Sequence, residues 1–169
     1  MRRIGLLSDT HGYLDPQIFT YFENCDEIWH AGDIGSLDVA DALADFKPLK
    51  AVCGNIDGAE LRRCFPLDQR FECEGLSVWI THIGGYPGAY DRKVKETISK
   101  DPPGLFICGH SHILKVMRDE KLGLVHFNPG AAGHSGWHLI RTLLRFAVDE
   151  GKIRDLEAVE LGKRGRGSN

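Results

Sequence analysis

The chain lacks several features that would place it in a large class of proteins. No apolar run approaches the roughly 20 residues needed to cross a bilayer, and the apolar part of the N-terminus is too short for a signal peptide. The five cysteines form no CxxC pair, so the sequence indicates neither a disulfide framework nor a zinc knuckle. We therefore expect a cytoplasmic protein with reduced cysteines and no membrane partner.

Charge of one sign is not in excess either. The 21 basic and 24 acidic residues give a formal net charge of −3, which does not favour nucleic acid or an acidic membrane as a partner. The 169 residues, of which 42% are hydrophobic, suit one domain with a real core. We predict a single domain over residues 1–162 and a disordered basic tail over residues 163–169.

Apolar bursts alternate with helix-like stretches along the chain, which indicates an α/β fold. The predicted strands cover residues 4–8, 27–30, 50–53, 69–74, 77–81, 105–108, 113–118, 124–127, 139–148 and 153–159. The predicted helices cover residues 15–24, 37–46 and 90–100. In open α/β sheets, ligands collect at the carboxyl ends of strands, so polar residues in the loops that follow predicted strands are candidates for ligand binding.

Seven potential metal ligands lie at five such places, each beside a glycine or at the end of an apolar run. They are Asp9, His11, Asp33, Asn55, His82, His110 and His112. Each place alone has a simpler explanation, as a turn residue, a helix cap or a buried histidine. The segment GHSH at 109–112 is the most specific, because two imidazoles so close after a strand usually indicate metal binding or catalysis. Together, the seven predict a site for two adjacent divalent cations.

The order DxH, GD, GN, H and GHxH resembles the calcineurin-like metallophosphoesterases. Length and spacing are most similar to the small bacterial and archaeal phosphodiesterase branch, which is related to the small retromer subunit of eukaryotes. The resemblance extends from residue 4 to the NPG segment at 128–130. It implies two mixed β-sheets packed as a sandwich and flanked by helices, in four layers. It also implies hydrolysis of phosphate diesters through attack by a metal-bridging hydroxide.

The resemblance also distributes the ligands between two metal ions. One ion would be held by Asp9, His11, Asp33 and His112, and the other by Asp33, Asn55, His82 and His110. Asp33 would bridge them, and Asp33, Asn55 and His82 are the expected catalytic residues. The resemblance favours Mn²⁺, while Fe, Zn, Co and Ni stay open because the ligands are nitrogen and oxygen atoms without a thiolate.

One position departs from the wider superfamily. Many of its members have GNHE or GNHD, in which the histidine is taken as a general acid, whereas this chain has Ile56 between Asn55 and Asp57. General acid–base catalysis typically contributes about 10²–10⁴-fold, and isoleucine cannot donate a proton. We therefore expect slow hydrolysis of esters with poor leaving groups. The small phosphodiesterase branch often lacks this histidine too.

Four further residues are weaker candidates for supporting roles. Asp57 is expected to stabilise its loop or to orient a ligand, and His30 is more readily explained as a structural or supporting histidine than as a ligand. Tyr86, in the glycine-rich loop after His82, would touch a substrate. His134 would replace the missing proton donor, although a surface loop histidine is the simpler explanation.

The sequence thus predicts a metal-dependent phosphodiesterase that acts on a small phosphodiester. One alternative is a non-catalytic interaction module like the retromer subunit, which would have lost its metal ligands; here all seven are present. Another is a phosphomonoesterase, against which Ile56 argues. The sequence leaves the oligomeric state open, and a homo-oligomer through the surface near Trp137 is one option.

Overall fold

Two β-sheets packed face to face form the centre of the protein in a computed structural model, which describes residues 1–165. In chain order, the elements are β1 (Arg2–Leu7), α1 (Gln17–Tyr21), β2 (Glu27–His30), α2 (Leu37–Phe46), β3 (Leu49–Ala51), α3 (Ala59–Cys64), β4 (Asp68–Cys73), β5 (Leu76–Thr81), β6 (Gly85–Tyr86), β7 (Ala89–Tyr90), α4 (Arg92–Lys100), β8 (Leu105–Ile107), β9 (Leu114–Asp119), β10 (Leu124–Pro129), β11 (Ile140–Asp149) and β12 (Lys152–Lys163).

Each main sheet has five strands and mixed directions. The strand order is β12-β11-β1-β2-β3 in the first sheet and β4-β5-β8-β10-β9 in the second. Strands β1, β2 and β3 are parallel to one another, as are β5, β8 and β10, whereas the other pairings in both sheets are antiparallel. The carboxyl ends of each parallel set therefore lie at one edge of their sheet, which is where the candidate ligands follow.

The core is divided into three layers of apolar contact. Between the sheets, the fully buried Trp29 ring packs edge-on against Phe71 and Phe146. Burying one large apolar side chain contributes about 1.5–3 kcal/mol. Helices α1, α2 and α3 cover the outer face of the first sheet, and α4 covers the second by burying Val94 and Ile98. The predicted four-layer arrangement of two mixed sheets flanked by helices is confirmed.

Some element boundaries differ from the sequence-based prediction. Helix α1 begins at Gln17, because the Asp15 carboxylate accepts the Gln17 N–H and also pairs with the buried guanidinium of Arg141. Helix α4 begins later than predicted, after Asp91, whose side chain accepts the N–H of Lys93. Helix α3 and the short hairpin of β6 and β7 were not predicted, because none of them carries a sustained apolar period.

Ordered structure also continues past the predicted domain boundary at residue 162. Lys163 is the last residue of β12, and the N–H of Arg164 donates to the carbonyl of Leu139. Residues 166–169 of the predicted tail lie outside the described residues. Among residues 1–165, we find no helix with the length and hydropathy of a membrane span.

His126 in β10 gives the fold a testable pH dependence. The side chain is fully buried, and burial lowers the pKa of its imidazole from 6.5 to about 4. Above pH 6.5 the ring is neutral in both the folded and the unfolded chain. As the pH falls from about 6.5 towards 4, only the unfolded chain takes up the proton, so folding loses about 3 kcal/mol from this group.

We therefore predict that His126→Gln flattens the acid side of the stability curve. Urea denaturation of both proteins from about pH 7 to about pH 4 measures the free energy of unfolding. The variant should lose about 3 kcal/mol less over this range than the wild type. Parallel curves for the two proteins would contradict the assignment of a neutral, buried His126.

Candidate metal centre

Backbone hydrogen bonds tie together the loops that follow the parallel strands. The Asp9 N–H donates to Gly32 O, and the His11 N–H donates to Asp33 O, each at 3.0 Å, which joins the loops after β1 and β2. In the second sheet, the N–H of Gly109 donates to His82 O at 3.0 Å and joins the loops after β5 and β8. The two sheets pack with these edges side by side, so the candidate ligands converge at one place.

Six of the seven predicted ligands form two compact groups. In each group, ligand atoms from the three residues lie within 4.8 Å of one another. The groups are Asp9, His11 and His112, and Asp33, His82 and His110. Asp33 Oδ2 lies 3.2 Å from His82 Nε2 and 3.5 Å from His11 Nε2, so this carboxylate faces both groups.

Asp9 is completely buried, and its two oxygens have different roles. Oδ2 accepts hydrogen bonds from the Ser8 hydroxyl at 2.6 Å and the His110 N–H at 3.1 Å. Oδ1 makes no hydrogen bond with any of residues 1–165, although His112 Nε2 is only 3.0 Å away. Burial alone would raise the pKa of Asp9, but the imidazoles of His11 and His112 and the Ser8 hydroxyl hold that pKa well below its usual range. Asp9 is therefore an ionised carboxylate with one free oxygen.

The tautomer of His82 is fixed by its backbone partner. Nδ1 lies 2.8 Å from the carbonyl of Ala31 and donates a proton to it, because a carbonyl can only accept. Nε2 then faces Asp33 at 3.2 Å and Asp9 at 3.8 Å. Burial lowers the pKa of His82, but the two carboxylates outweigh burial and raise it. This corner of the site therefore attracts a cation, which is a proton or a metal ion.

The spacing of the ligand atoms suits coordination of divalent metal ions better than direct hydrogen bonding between the ligands. Asp9 Oδ1, His11 Nε2 and His82 Nε2 are buried without a hydrogen-bond partner in the described part of the chain. Ligands about 2.0–2.2 Å from one ion stand roughly 3–4 Å apart. The carboxylate–imidazole contacts of the site range from 3.0 to 3.8 Å. The spacing, the donor types and the missing hydrogen bonds agree with metal coordination.

Left-handed backbone orients most of these side chains. The φ angle lies between 48° and 68° at five ligand positions, which are Asp9, His11, Asp33, His110 and His112. Such a conformation costs roughly 1–2 kcal/mol for a residue other than glycine. Residues held this way cluster at functional sites, where the surrounding structure over-determines them. The loops turn sharply after each strand and direct the side chains back across the sheet ends.

Two glycines allow the loops to approach the carboxylates. A Cβ atom at Gly54 would lie 1.9 Å from Asp33 Oδ1, and one at Gly109 would lie 2.1 Å from the Ser8 hydroxyl and 2.7 Å from Asp9 Oδ2. All three distances are shorter than any possible contact, so no larger residue fits at either position without moving the carboxylate or the Ser8 hydroxyl. Gly54 and Gly109 are thus required for close approach rather than for turn geometry.

Asp57 links the loops that carry Asp33 and Asn55. Its Oδ2 accepts the N–H of Gly54 at 2.8 Å and that of Ile34 at 3.2 Å, and its Oδ1 accepts the N–H of Gly35 at 2.8 Å. The structure thus places the predicted supporting residue between two ligand loops, where it fixes their separation.

His30 lies beneath the same loops and is completely buried. Its Nδ1 accepts the Gly32 N–H at 3.1 Å, so Nε2 carries the proton and donates to the Thr10 hydroxyl at 3.0 Å. Thr10 in turn donates to the carbonyl of Ile34 at 2.8 Å. Burial lowers the pKa of His30 to about 4, which keeps the ring neutral. His30 therefore contacts the backbone and side chains of the ligand loops rather than the ligand groups themselves.

The remaining candidates lie around the rim. Asn55 is exposed and lines the same cavity as His82, and Tyr86 lines a second cavity with His110. His134 is engaged elsewhere: its Nδ1 contacts the carbonyl of Arg164, and its ring centroid lies 4.1 Å from that of Tyr13, with the two planes tilted by 49°. These contacts do not support His134 as the replacement proton donor.

Sequence reasoning missed three supporting residues. Ser8 and Thr10 flank Asp9 within the motif SDTHG, so the motif itself carried the signal. No sequence motif pointed to Arg62, because it lies on helix α3, which was not predicted. Its guanidinium donates to the carbonyls of Asp57 and Gly54, at 2.7 and 3.1 Å, and so braces the loop of Asn55.

Comparison with known families agrees with this geometry. Residues 1–151 match a family model described as the calcineurin-like phosphoesterase superfamily domain. The chain belongs to this superfamily. The matched segment contains all seven candidate ligands, the whole second sheet and four of the five strands of the first sheet, so the resemblance inferred from the motifs is confirmed.

Individual relatives share low sequence identity with this chain. A probable metallophosphoesterase of Methanothermobacter thermautotrophicus is 29% identical over 138 residues, which cover 76% of each chain. A solved archaeal phosphodiesterase has a TM-score of 0.76 at 22% identity, over 94% of this chain and 99% of that one. Vps29 of Entamoeba histolytica, solved with Zn²⁺, has a TM-score of 0.70 at 15% identity, over 95% and 98% of the two chains. Both structural likenesses establish the fold alone.

We predict that Asp57→Asn weakens metal binding. The variant places an amide donor among backbone N–H groups that need acceptors, so the loops of Asp33 and Asn55 should shift. Changes in groups that orient metal ligands typically cost about 10–100-fold in affinity. Titration calorimetry with Mn²⁺ measures this effect, with the exposed Asp45→Asn on α2 as the matched control. An unchanged affinity in a folded variant would count against the bracing role.

Proposed function

We propose that this protein is a dinuclear metal-dependent phosphodiesterase. The observation that carries the proposal is the pair of adjacent ligand groups faced by one carboxylate, that of Asp33. One ion is assigned to Asp9, His11, Asp33 and His112, and the other to Asp33, Asn55, His82 and His110. Membership in the superfamily supports hydrolysis of phosphate esters.

The donor set guides the proposed metal. Mixed nitrogen and oxygen ligands suit Mn²⁺, which we propose, and also Fe, Zn, Co or Ni. The nearby thiols are committed elsewhere: Cys53 Sγ donates to Phe65 O and Cys108 Sγ donates to Gly85 O. Burial raises the pKa of Cys108 to about 12, so this thiol does not ionise at neutral pH.

The proposed partner is a small phosphodiester, with neither nucleic acid nor a membrane as a default partner. The five cysteines are free, in keeping with the cytoplasm as the proposed compartment. A homo-oligomer through the surface around Trp137, whose side chain is almost entirely exposed, is also compatible with this proposal.

When bound, two divalent ions supply Lewis-acid activation of water and of the phosphoryl oxygens. The residues of this chain orient the metal ligands through hydrogen bonds. The Ile56 N–H donates to Asp33 Oδ1, and the Ser8 hydroxyl donates to Asp9 Oδ2. The ring of His82 is oriented by the hydrogen bond from its Nδ1 to the carbonyl of Ala31. The free oxygen and nitrogen atoms therefore already converge before a substrate arrives. Such preorganisation avoids the reorganisation that a flexible site would need during the reaction.

The leaving group receives no proton from the place where the wider superfamily has its histidine. Ile56 occupies that place, and its side chain is 47% exposed. The backbone N–H of Ile56 donates a hydrogen bond to Asp33 Oδ1. We therefore propose that the enzyme acts on esters whose leaving oxygen is weakly basic and departs without assistance.

Two cavities favour a diester over a monoester. The larger, of about 520 Å³, is lined by Asn55 and His82, and the smaller, of about 300 Å³, is lined by His110. Ile83 lines both. A phosphate held by the ligand groups would direct one organic arm into each cavity, whereas a monoester would fill only one.

We predict that Asp33→Asn abolishes activity without unfolding the protein. Loss of the shared carboxylate should lower hydrolysis of bis-p-nitrophenyl phosphate with Mn²⁺ by about 100-fold or more, since even supporting residues cost 10–100-fold. Asp41→Asn, an exposed change on α2, is the control, and circular dichroism monitors the fold. A wild-type chain that binds no Mn²⁺ and cleaves no diester would sink the proposal and favour a non-catalytic interaction module.

We predict that Ile56→His extends the substrate range. The new imidazole would stand where the superfamily places its general acid, and the exposed position tolerates it. The ratio of rates on an alkyl diester and on a p-nitrophenyl diester should rise by about 10-fold or more. The wild type should also cleave a p-nitrophenyl diester faster than the monoester of the same phenol. A faster monoester would refute the inference from Ile56.

A further inference from the structure

The larger cavity opens directly onto the candidate metal centre. Asn55 and His82 are among its lining residues, and its walls come from α3, β4, β5 and α4. Its volume of about 520 Å³ falls within the range of pockets for small organic molecules. An arm attached to a phosphate at the metal centre would enter this cavity without crossing another part of the protein.

The lining of this cavity is cationic. It contains Arg62 from α3, Arg70 from β4 and Lys93 from α4. Among the described lining residues, Asp68 is the one carboxylate, and it already accepts the indole N–H of Trp79 at 3.0 Å. Arg70 also pairs with Asp101, which lies outside the lining and has its Oδ2 2.7 Å from Arg70 Nη1, so three positive charges against two negative charges leave a formal excess of one. A concave surface with such an excess concentrates anions from solution.

The charge of Arg62 is fixed in place but not neutralised. Its Nε and Nη2 donate to the carbonyls of Asp57 and Gly54, which are neutral acceptors. These two bonds hold the guanidinium beside the loop of Asn55. Within residues 1–165, its Nη1 has no hydrogen-bond partner and is free to meet a ligand. A fixed guanidinium with a free donor suits a phosphate or a carboxylate.

The other walls combine charge with apolar surface. The guanidinium of Arg70 stacks over the ring of Trp79 at 4.1 Å and is held there by Asp101, whose Oδ2 lies 2.7 Å from its Nη1. Val94 adds further apolar lining, and Lys93 carries its ammonium on the exposed side of α4. The cavity therefore suits an arm that has an apolar or ring-shaped body and an anionic end.

The smaller cavity differs in charge. Its lining contains both Lys115 and Asp91, so their formal charges cancel, and the ammonium of Lys115 lies 3.5 Å over the ring of Tyr86. The two arms of a diester would thus meet different environments. An additional negative charge on one arm would direct that arm into the larger cavity.

We propose that the larger cavity is a binding site for an anionic arm, so that the preferred substrates are phosphodiesters that carry a further phosphate or carboxylate on one organic substituent. This inference rests on the proposed diesterase function, which places the scissile phosphate at the metal centre. The cations themselves belong to side chains, so binding of the anionic arm is measurable without metal and without hydrolysis.

Binding to the full chain tests the cavity by itself. Titration calorimetry compares thymidine 3′,5′-bisphosphate with thymidine 5′-phosphate, both with Mn²⁺ and after treatment with a chelator. Exposed charge pairs each contribute up to several-fold, so the bisphosphate should bind about 10-fold more tightly. Raising the salt from about 0.05 M to about 0.5 M should remove most of this advantage. Equal affinities for the two nucleotides at low salt would overturn the inference.

Substitution of lining residues tests whether this cavity causes the tighter binding of the bisphosphate. Lys93→Gln should reduce the advantage of the bisphosphate by about 3-fold, and the double variant with Arg70→Gln should remove most of it. Lys95→Gln is the matched control, because Lys95 is exposed on the same helix but does not line the cavity. A bisphosphate advantage that survives the double variant would place the anionic site elsewhere and refute the inference.

Hydrolysis separates this inference from the proposed function. The p-nitrophenyl ester of thymidine 5′-phosphate is compared with derivatives carrying a 3′-phosphate or a 3′-O-carboxymethyl group, which distinguish the two anions. The charged arms should raise kcat/KM by about 10-fold over the uncharged substrate, and Lys93→Gln should reduce this 10-fold advantage. Equal cleavage of all three contradicts the inference and leaves the diesterase intact. Cleavage of none, with the binding difference present, contradicts the diesterase and leaves the cavity assignment intact.

Discussion

Two neighbouring carboxylates buried at the ends of β1 and β2 set the requirements for the rest of the site. Asp9 and Asp33 are almost fully buried, and both lie within 3.8 Å of His82 Nε2. Burying two like charges together is costly unless they are paired or coordinate a cation. The chain satisfies one oxygen of each carboxylate with its own donors, from Ser8 for Asp9 and from the Ile56 N–H for Asp33. The other oxygens face imidazoles and are left for a cation.

That arrangement is possible only because the two sheets fix the loops. Left-handed backbone at five ligand positions costs roughly 1–2 kcal/mol each, which no isolated loop would sustain. The apolar core between the sheets, around Trp29 and Phe146, supplies the compensating stability and holds the strand ends at constant separation. Asp57 and His30 then transmit that rigidity to the loops through hydrogen bonds to their backbone. Packing far from the chemistry thus determines whether the ligand atoms converge.

The candidate ligands could be selected from the sequence because each lies within a few residues of the end of a short apolar strand. Asp9 after β1 and His82 after β5 are examples in which strand and ligand are read from one continuous segment. The α/β class and the two mixed sheets followed from the same pattern and from the family resemblance. The cationic cavity could not be predicted, because Arg62, Arg70 and Lys93 lie on three elements whose proximity exists only in the folded chain. Helix α3, which carries Arg62, has too few apolar residues to be recognised.

In the proposed diesterase, Ile56 and the cationic cavity would limit the substrate in complementary ways. A missing general acid costs about 10²–10⁴-fold for a strongly basic leaving oxygen. The cavity's exposed charges are worth only about 10-fold, so they cannot replace a proton donor. Binding energy from a remote arm can position the phosphate but does not protonate the departing oxygen. In the proposed diesterase, the chemistry of the leaving group would therefore decide which diesters are cleaved at all, and the charge of the arm would decide which of those are preferred.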